Sequence, residues 1–130
     1  MDFSDFVGLP WRDRGRTADG YDCWGLVRAA FAAGTGIELP SHADAYATAA
    51  DRAETALVYA GEVGDWRDVG TGHEQAYDVA SLRIAHSLHV GLIVRRGLML
   101  HMPRGRTSVI EPLARYRTVL TGIHRHRSQP

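Results

Sequence analysis

The chain has 130 residues, 45% hydrophobic and 23% charged, which suits one domain (residues 1–130) with a core that needs no staples. Fifteen basic residues, all arginine, balance fifteen acidic ones, so composition gives no sign of a nucleic-acid or anionic-membrane partner. One cysteine excludes an internal disulfide, and the apolar runs are too short to span a bilayer.

In chain order, Phe3, Phe6, Val7 and Leu9 at helical spacing predict a short N-terminal helix, ended by Gly8-Leu9-Pro10. The acidic N-terminus has no long apolar run, so no signal peptide is expected. Residues Pro10 to Arg16 read as a loop. A second helix starts at Cys23, because Asp22 can cap it by accepting a bond from a first-turn N–H. Leu26, Val27, Ala29, Ala30, Phe31 and Ala33 continue it, and Gly34 is the expected left-handed stop. The Cys23 sulfur would sit at the positive end of the helix dipole, which favours thiolate, although Asp22 opposes this. Gly34 to Pro40 is a turn. Ala43 to Ala60 reads as a surface helix, and Gly61 to His73, with four glycines, as a loop anchored by Trp66.

The second half changes character. Asp78–Ile84, Leu88–Val94, Leu98–Met102, Thr107–Ile110 and Thr118–His126 are short apolar or alternating runs between turn signals. They predict an antiparallel sheet of about five strands, with the N-terminal helices packed on it in an α+β domain.

The hairpin around Arg95-Arg96-Gly97 places two histidines. A three-residue loop with glycine in its last, left-handed position sets Val94 opposite Leu98 and Gly91 opposite His101. His89 and His101 then share a face as diagonal neighbours, about 7–8 Å apart at Cα. Gly91 leaves an empty slot across from His101, so the rings can meet. Taken singly, Cys23 reads as a small buried hydrophobe, His89 as a core histidine and His101 as a strand-end residue. Together they suggest a nucleophile, a base and an orienting group.

Three segments carry a resemblance. Asp22-Cys23-Trp24-Gly25-Leu26-Val27, His89-Val90-Gly91-Leu92-Ile93 and Leu100-His101, the second histidine twelve residues beyond the first, resemble the NlpC/P60 cysteine peptidases. The resemblance implies a papain-like fold with Cys23 as nucleophile, His89 as base and His101 as orienting residue. It also implies an acyl-enzyme mechanism on a peptidoglycan stem peptide, with the Cys23 backbone N–H as one oxyanion donor and no metal or cofactor. Trp11 and Asp22 are placed on the substrate and oxyanion side. Trp11 stands where the family has tyrosine, Tyr77-Asp78 where it has Gly-Asp, and Trp24 where it has serine. The Asp-Cys-Trp-Gly-Leu-Val-Arg variant is similar to members encoded with phage tails or gene transfer agents. That implies synthesis in a bacterial cytoplasm, action from a tail at the cell envelope, and other tail or baseplate proteins as partners. The alternatives are an assembly component that keeps the fold with little activity, or the same cysteine chemistry on a different wall amide or in acyl transfer to another acceptor. The pair His86 and His89 would point to opposite faces of a strand, and His124 and His126 read as surface residues on an edge strand, so neither reads as a metal site. Arg104 and Arg106 are expected to be solvated, or to meet a substrate carboxylate.

Overall fold

The computed structural model describes residues 3–41 and 65–130. Within them the Cys23 run forms one α-helix, α1 (Cys23–Thr35), preceded by a two-residue pair, β1 (Arg16–Thr17) and β2 (Gly20–Tyr21). The alternating runs form β4 (Val79–Ile84), β5 (Ser87–Arg95), β6 (Leu98–His101), β7 (Val109–Pro112) and β8 (Leu120–His126), joined by β3 (Trp66–Val69). The sheet order is β3-β8-β4-β5-β6-β7, antiparallel throughout, and the architecture is α+β. The helix expected over residues 43–60 lies outside the described residues.

Helix α1 forms where its cap is. Asp22 is extended (φ −88°, ψ −173°) and its Oδ1 accepts from the Gly25 N–H at 2.7 Å, a bond typically worth about 1 kcal/mol. Its inner face buries Leu26, Val27, Ala30 and Phe31 completely against β5 and β6, each large side chain contributing about 1.5–3 kcal/mol. The helix ends two residues later than expected, at left-handed Gly36 (φ 77°). Gly34 stays inside the helix because its missing Cβ makes room for the Tyr77 ring.

Both sheet faces are covered, which explains why Gly91-Leu92-Ile93-Val94 reads as a nearly continuous apolar run. Val79, Val90, Leu92, Leu100 and Met102 pack toward α1. Ala80, Leu82, Ile93, Met99 and Ile123 pack on the other side under Leu113, which belongs to a short 3-10 turn, Leu113–Tyr116, between β7 and β8.

Several expectations change. The N-terminal helix is only a 3-10 turn, Phe3–Phe6, cut short by left-handed Gly8 (φ 81°) and Pro10. The sheet has a sixth strand, since Trp66 does not anchor a loop. It starts β3, pairs with His126, and buries its ring against Phe31 and His126 at centroid distances of 6.0 and 4.9 Å. Strand β8 is therefore internal and His126 is buried, whereas both were expected at an edge. Tyr77 adopts φ 73°, which accounts for the glycine usual at this position, and its ring packs on Phe3 and Phe31 instead. Beside it, fully buried Asp78 accepts from Arg125 Nε and Nη2 at 2.8 and 2.9 Å and from the Gln75 N–H at 2.9 Å.

Candidate active site

Each polar side chain of the cleft is placed by a local feature of the backbone. Asp22 caps the helix, so Cys23 begins its first turn, half-buried. The N-terminal segment bonds along the start of β7, through Gly8 N–H to the Ser108 carbonyl at 2.8 Å and Ser108 N–H to the Leu9 carbonyl at 2.9 Å. That contact carries Trp11 to the cleft.

The histidine hairpin reaches the expected pairing by a different route. Arg95 pairs with Leu98 across a two-residue turn, Arg96-Gly97, with Gly97 left-handed at φ 84°. Taken alone, that turn would shift the register and separate the histidines onto opposite faces. The register shift between Ile93 and Arg95, with Val94 as the extra residue, restores it, so Ile93 pairs with Met99 and Gly91 with His101. Gly91 is needed here, but its slot is not empty: the Met99 side chain fills it, beside the His101 Cβ.

With that register, His89 Nε2 lies 3.0 Å from His101 Nδ1, the rings edge to face at 5.2 Å. A further residue extends the chain. His101 Nε2 lies 2.7 Å from Glu111 Oε1, which also accepts from the Tyr116 hydroxyl at 2.7 Å, while Oε2 accepts from Arg115 Nη1 at 2.7 Å. Glu111 was not anticipated from sequence, because β7 was expected to stop at Ile110. The strand continues to Pro112, and since His101 pairs with Val109, Glu111 lies on the same sheet face as His101. Extending the alternation of β7 by one residue finds it.

The charges in the cleft are arranged unevenly. Burial pushes the Cys23 thiol up to about 12, and the Asp22 charge adds to this. The backbone N–H groups of Val90 and Trp24, and Arg16, oppose the shift without reversing it. Burial pushes His89 down to about 3, and the neighbouring His101 adds to it. His101 is also lowered by burial, against the pull of Glu111. Glu111 goes the other way, to about 2, chiefly through the Tyr116 hydrogen bond, with His101 and Arg115 contributing. Tyr116 is raised to about 12 by burial and by Glu111. Burial thus favours the neutral form of both Cys23 and His89 near pH 7. Of the two opposed influences read at the helix start, the dipole's pull toward thiolate is outweighed by desolvation and by the Asp22 charge.

Cys23, His89, His101, Trp11, Arg104 and Tyr116 line one cleft of about 420 Å³, floored by Met102 and Pro103 and edged by the β4–β5 turn. Asp22, placed on the oxyanion side by the resemblance, is not part of this lining. Its buried carboxylate is taken up by Gly25 N–H and, at 2.7 Å, by Arg16, so it holds the helix terminus. A carboxylate would in any case repel an oxyanion. Arg104 and Arg106 are exposed. His86 sits in the β4–β5 turn at φ 67°, not on a strand. His124 Nδ1 pairs with Asp68 Oδ1 at 2.9 Å across β3 and β8, and His126 bonds Ser128 Oγ at 2.8 Å. Among the described residues, no three His, Cys, Asp or Glu side chains gather in a metal-binding arrangement.

Known proteins share this architecture. Residues 8–125 match the NlpC/P60 family. Similar solved structures include an NlpC/P60 family protein from Bacillus cereus ATCC 10987, 25% identical, with a TM-score of 0.63 over 93% of this chain and 36% of that one. The NlpC/p60 domain of the peptidoglycan hydrolase SagA is 17% identical, with a TM-score of 0.63 over 92% of this chain and 88% of that one. The P60 domain of antigen MAP1204 from M. avium subspecies paratuberculosis is 19% identical, with a TM-score of 0.64 over 98% and 90%. This chain thus spans about a third of the Bacillus protein and most of the two isolated domains. No curated protein matches it. The fold is that of these neighbours, α+β and papain-like.

Proposed function

Since the chain belongs to the NlpC/P60 family, we propose that it is a cysteine endopeptidase that cuts the stem peptide of peptidoglycan through Cys23. One observation carries this reading. His89 Nε2 contacts His101 Nδ1 at 3.0 Å, and both rings share a cleft with the cysteine at the start of α1.

In this mechanism the Cys23 thiol gives its proton to His89 as sulfur attacks the scissile carbonyl. The ion pair forms during attack, in keeping with the burial that favours the neutral form of both partners. The Cys23 backbone N–H at the helix terminus, with the Trp11 indole N–H, faces the oxyanion that develops. Collapse breaks the amide bond, His89 protonates the departing amine, and a thioester remains on Cys23. Water, deprotonated by His89, then hydrolyses the thioester and restores the thiol. A D-glutamyl–diaminopimelate bond is the substrate of choice, and Arg104 in the cleft wall suits a carboxylate of the stem peptide.

Purified peptidoglycan digested by the wild type and by Cys23→Ala tests the reading. Product release should fall by about 10⁴-fold or more in the variant. Its melting temperature should stay within about 2 °C, a small shift for a half-buried side chain losing one atom. Equal digestion by the two proteins would remove Cys23 from the chemistry.

The Trp11 and Tyr77 departures from the family pattern favour a second reading, in which the domain is an assembly component of a phage tail or phage-like particle and keeps the fold with little activity. In either reading the tail setting, with tail or baseplate partners and delivery to the envelope, rests on the Asp22-Cys23-Trp24-Gly25-Leu26-Val27-Arg28 variant alone. A quiet assembly protein would leave peptidoglycan intact with the wild type as well as with Cys23→Ala.

A further inference from the structure

We propose that Glu111 is a positioning residue that decides, through His101, which nitrogen of His89 acts as the base. The inference rests on the peptidase reading for its consequence, while its geometry stands apart from it. A carboxylate only accepts hydrogen bonds, so the 2.7 Å contact to Glu111 Oε1 requires the proton on His101 Nε2. A neutral His101 then has a bare Nδ1, and the 3.0 Å contact requires His89 to donate from its own Nε2. A neutral His89 protonated on Nε2 has a bare Nδ1. That nitrogen is the one left to take the Cys23 proton.

The direction of this chain is not symmetric. Were Glu111 protonated and donating to His101 Nε2, each proton would move over. His101 would donate from Nδ1 to His89 Nε2, and His89 would carry its proton on Nδ1, with no lone pair left for the thiol. The surroundings work against this. The Tyr116 hydroxyl donates to Oε1 and Arg115 to Oε2, each at 2.7 Å, so Glu111 faces three donors and is held as an anion. Other charges and titratable groups near the chain are Arg106 on the β6–β7 loop, and Cys23, Asp22 and Arg16 on the helix side. Glu111 touches no reacting atom. When His89 takes the thiol proton and becomes cationic, both Nε2 protons stay where they are, and the fixed carboxylate at the end of the chain offsets the new positive charge.

Histidine side-chain ¹⁵N spectra of the full chain at pH 7 test the proposal in the wild type, Glu111→Ala and Glu111→Gln. The wild type should show His89 and His101 each as a single tautomer protonated on Nε2. Glu111→Ala should mix the tautomers of both rings and lower kcat about 100-fold, with KM within about twofold. Glu111→Gln, whose amide oxygen still accepts, should keep the tautomers and lose about tenfold in kcat with the charge. Unchanged tautomers in Glu111→Ala would overturn the proposal. If that variant does not fold, the wild-type spectrum decides: a proton on His89 Nδ1 overturns the proposal, and a bare Nδ1 with Nε2–H on both rings upholds it. A wild type with these tautomers that leaves peptidoglycan uncut would remove the peptidase reading and leave the Glu111 assignment standing.

Discussion

The two ends of the β4–β5 hairpin each hold a buried polar cluster, and the two are built on opposite principles. At the Asp78 end, opposite charges are paired in advance. The fully buried carboxylate takes two bonds from Arg125 and one from the Gln75 backbone, so nothing is left to react. At the His89 end the charge is held at a distance. Glu111 is anionic and saturated by His101, Tyr116 and Arg115, while Cys23 and His89, nearest the cleft, are neutral. A cluster completed in the ground state stabilises the fold. A cluster left to be completed during a reaction can do chemistry. Burial is common to both, and the difference lies in where the charge stops.

That contrast can be broken most forcefully at the Asp78 end. Asp78→Ala would strand the Arg125 guanidinium, and should lower stability by about 3–5 kcal/mol in urea unfolding. Activity per folded molecule should hold, because Asp78 lies at the opposite end of the hairpin from the cleft. A loss under about 1 kcal/mol would mean that this cluster is no lock.

At the His89 end the comparison sharpens through pH. His89 titrates near 3 in the fold against an ordinary 6.5, so between these values the unfolded chain binds the extra proton. Its contribution is complete above about pH 6.5 and drains away as pH falls toward 3, with a slope of at most about 1.4 kcal/mol per pH unit. Glu111, near 2 against 4.5, acts in the same direction at lower pH. Cys23, near 12 against 9.0, acts oppositely, so stability should decline again as pH rises above 9. The urea midpoint measured across pH should peak between about 6.5 and 9. His89→Gln should flatten the upper part of the acid limb. Steady stability from pH 7 down to 4 would contradict the lowered His89.

The smallest effect lies in the turn that closes the hairpin at the cleft end. Ala85 and His86 both adopt left-handed backbone, at φ 51° and 67°, in the two-residue connection that brings Ile84 to Ser87. Replacing them with Asn-Gly should raise stability by about 1 kcal/mol in the same urea assay. A neutral or negative result would show that contacts at the cleft rim, and not backbone preference, set this turn.

How far these features could be read in advance depended on whether the deciding interaction was local. The start of α1 was legible because Asp22, Cys23 and the apolar spacing that follows all lie within a few turns of chain. The pairing of Gly91 with His101 was legible from Gly97, but the Val94 bulge was not, since it depends on how the strands twist over two covered faces. Strand β3 was hidden because Trp66 sits among glycines and finds its partners, Phe31 and His126, far along the chain. Glu111 was hidden by its place before a proline at a strand end, where a carboxylate ordinarily faces water. The balance at Cys23 was hidden for a related reason: the helix terminus and Asp22 are visible in sequence, while the dry packing around the sulfur is not.

The central claim, that Cys23 attacks a stem-peptide carbonyl within the His89–His101–Glu111 chain, is tested most directly by acid-quenching the protein during turnover of a stem peptide and weighing it intact. A covalent thioester that maps to Cys23, carries the acyl half of the substrate and is absent from Cys23→Ala is the predicted result. Cleaved peptide with no adduct on Cys23, released equally by the alanine variant, would contradict it.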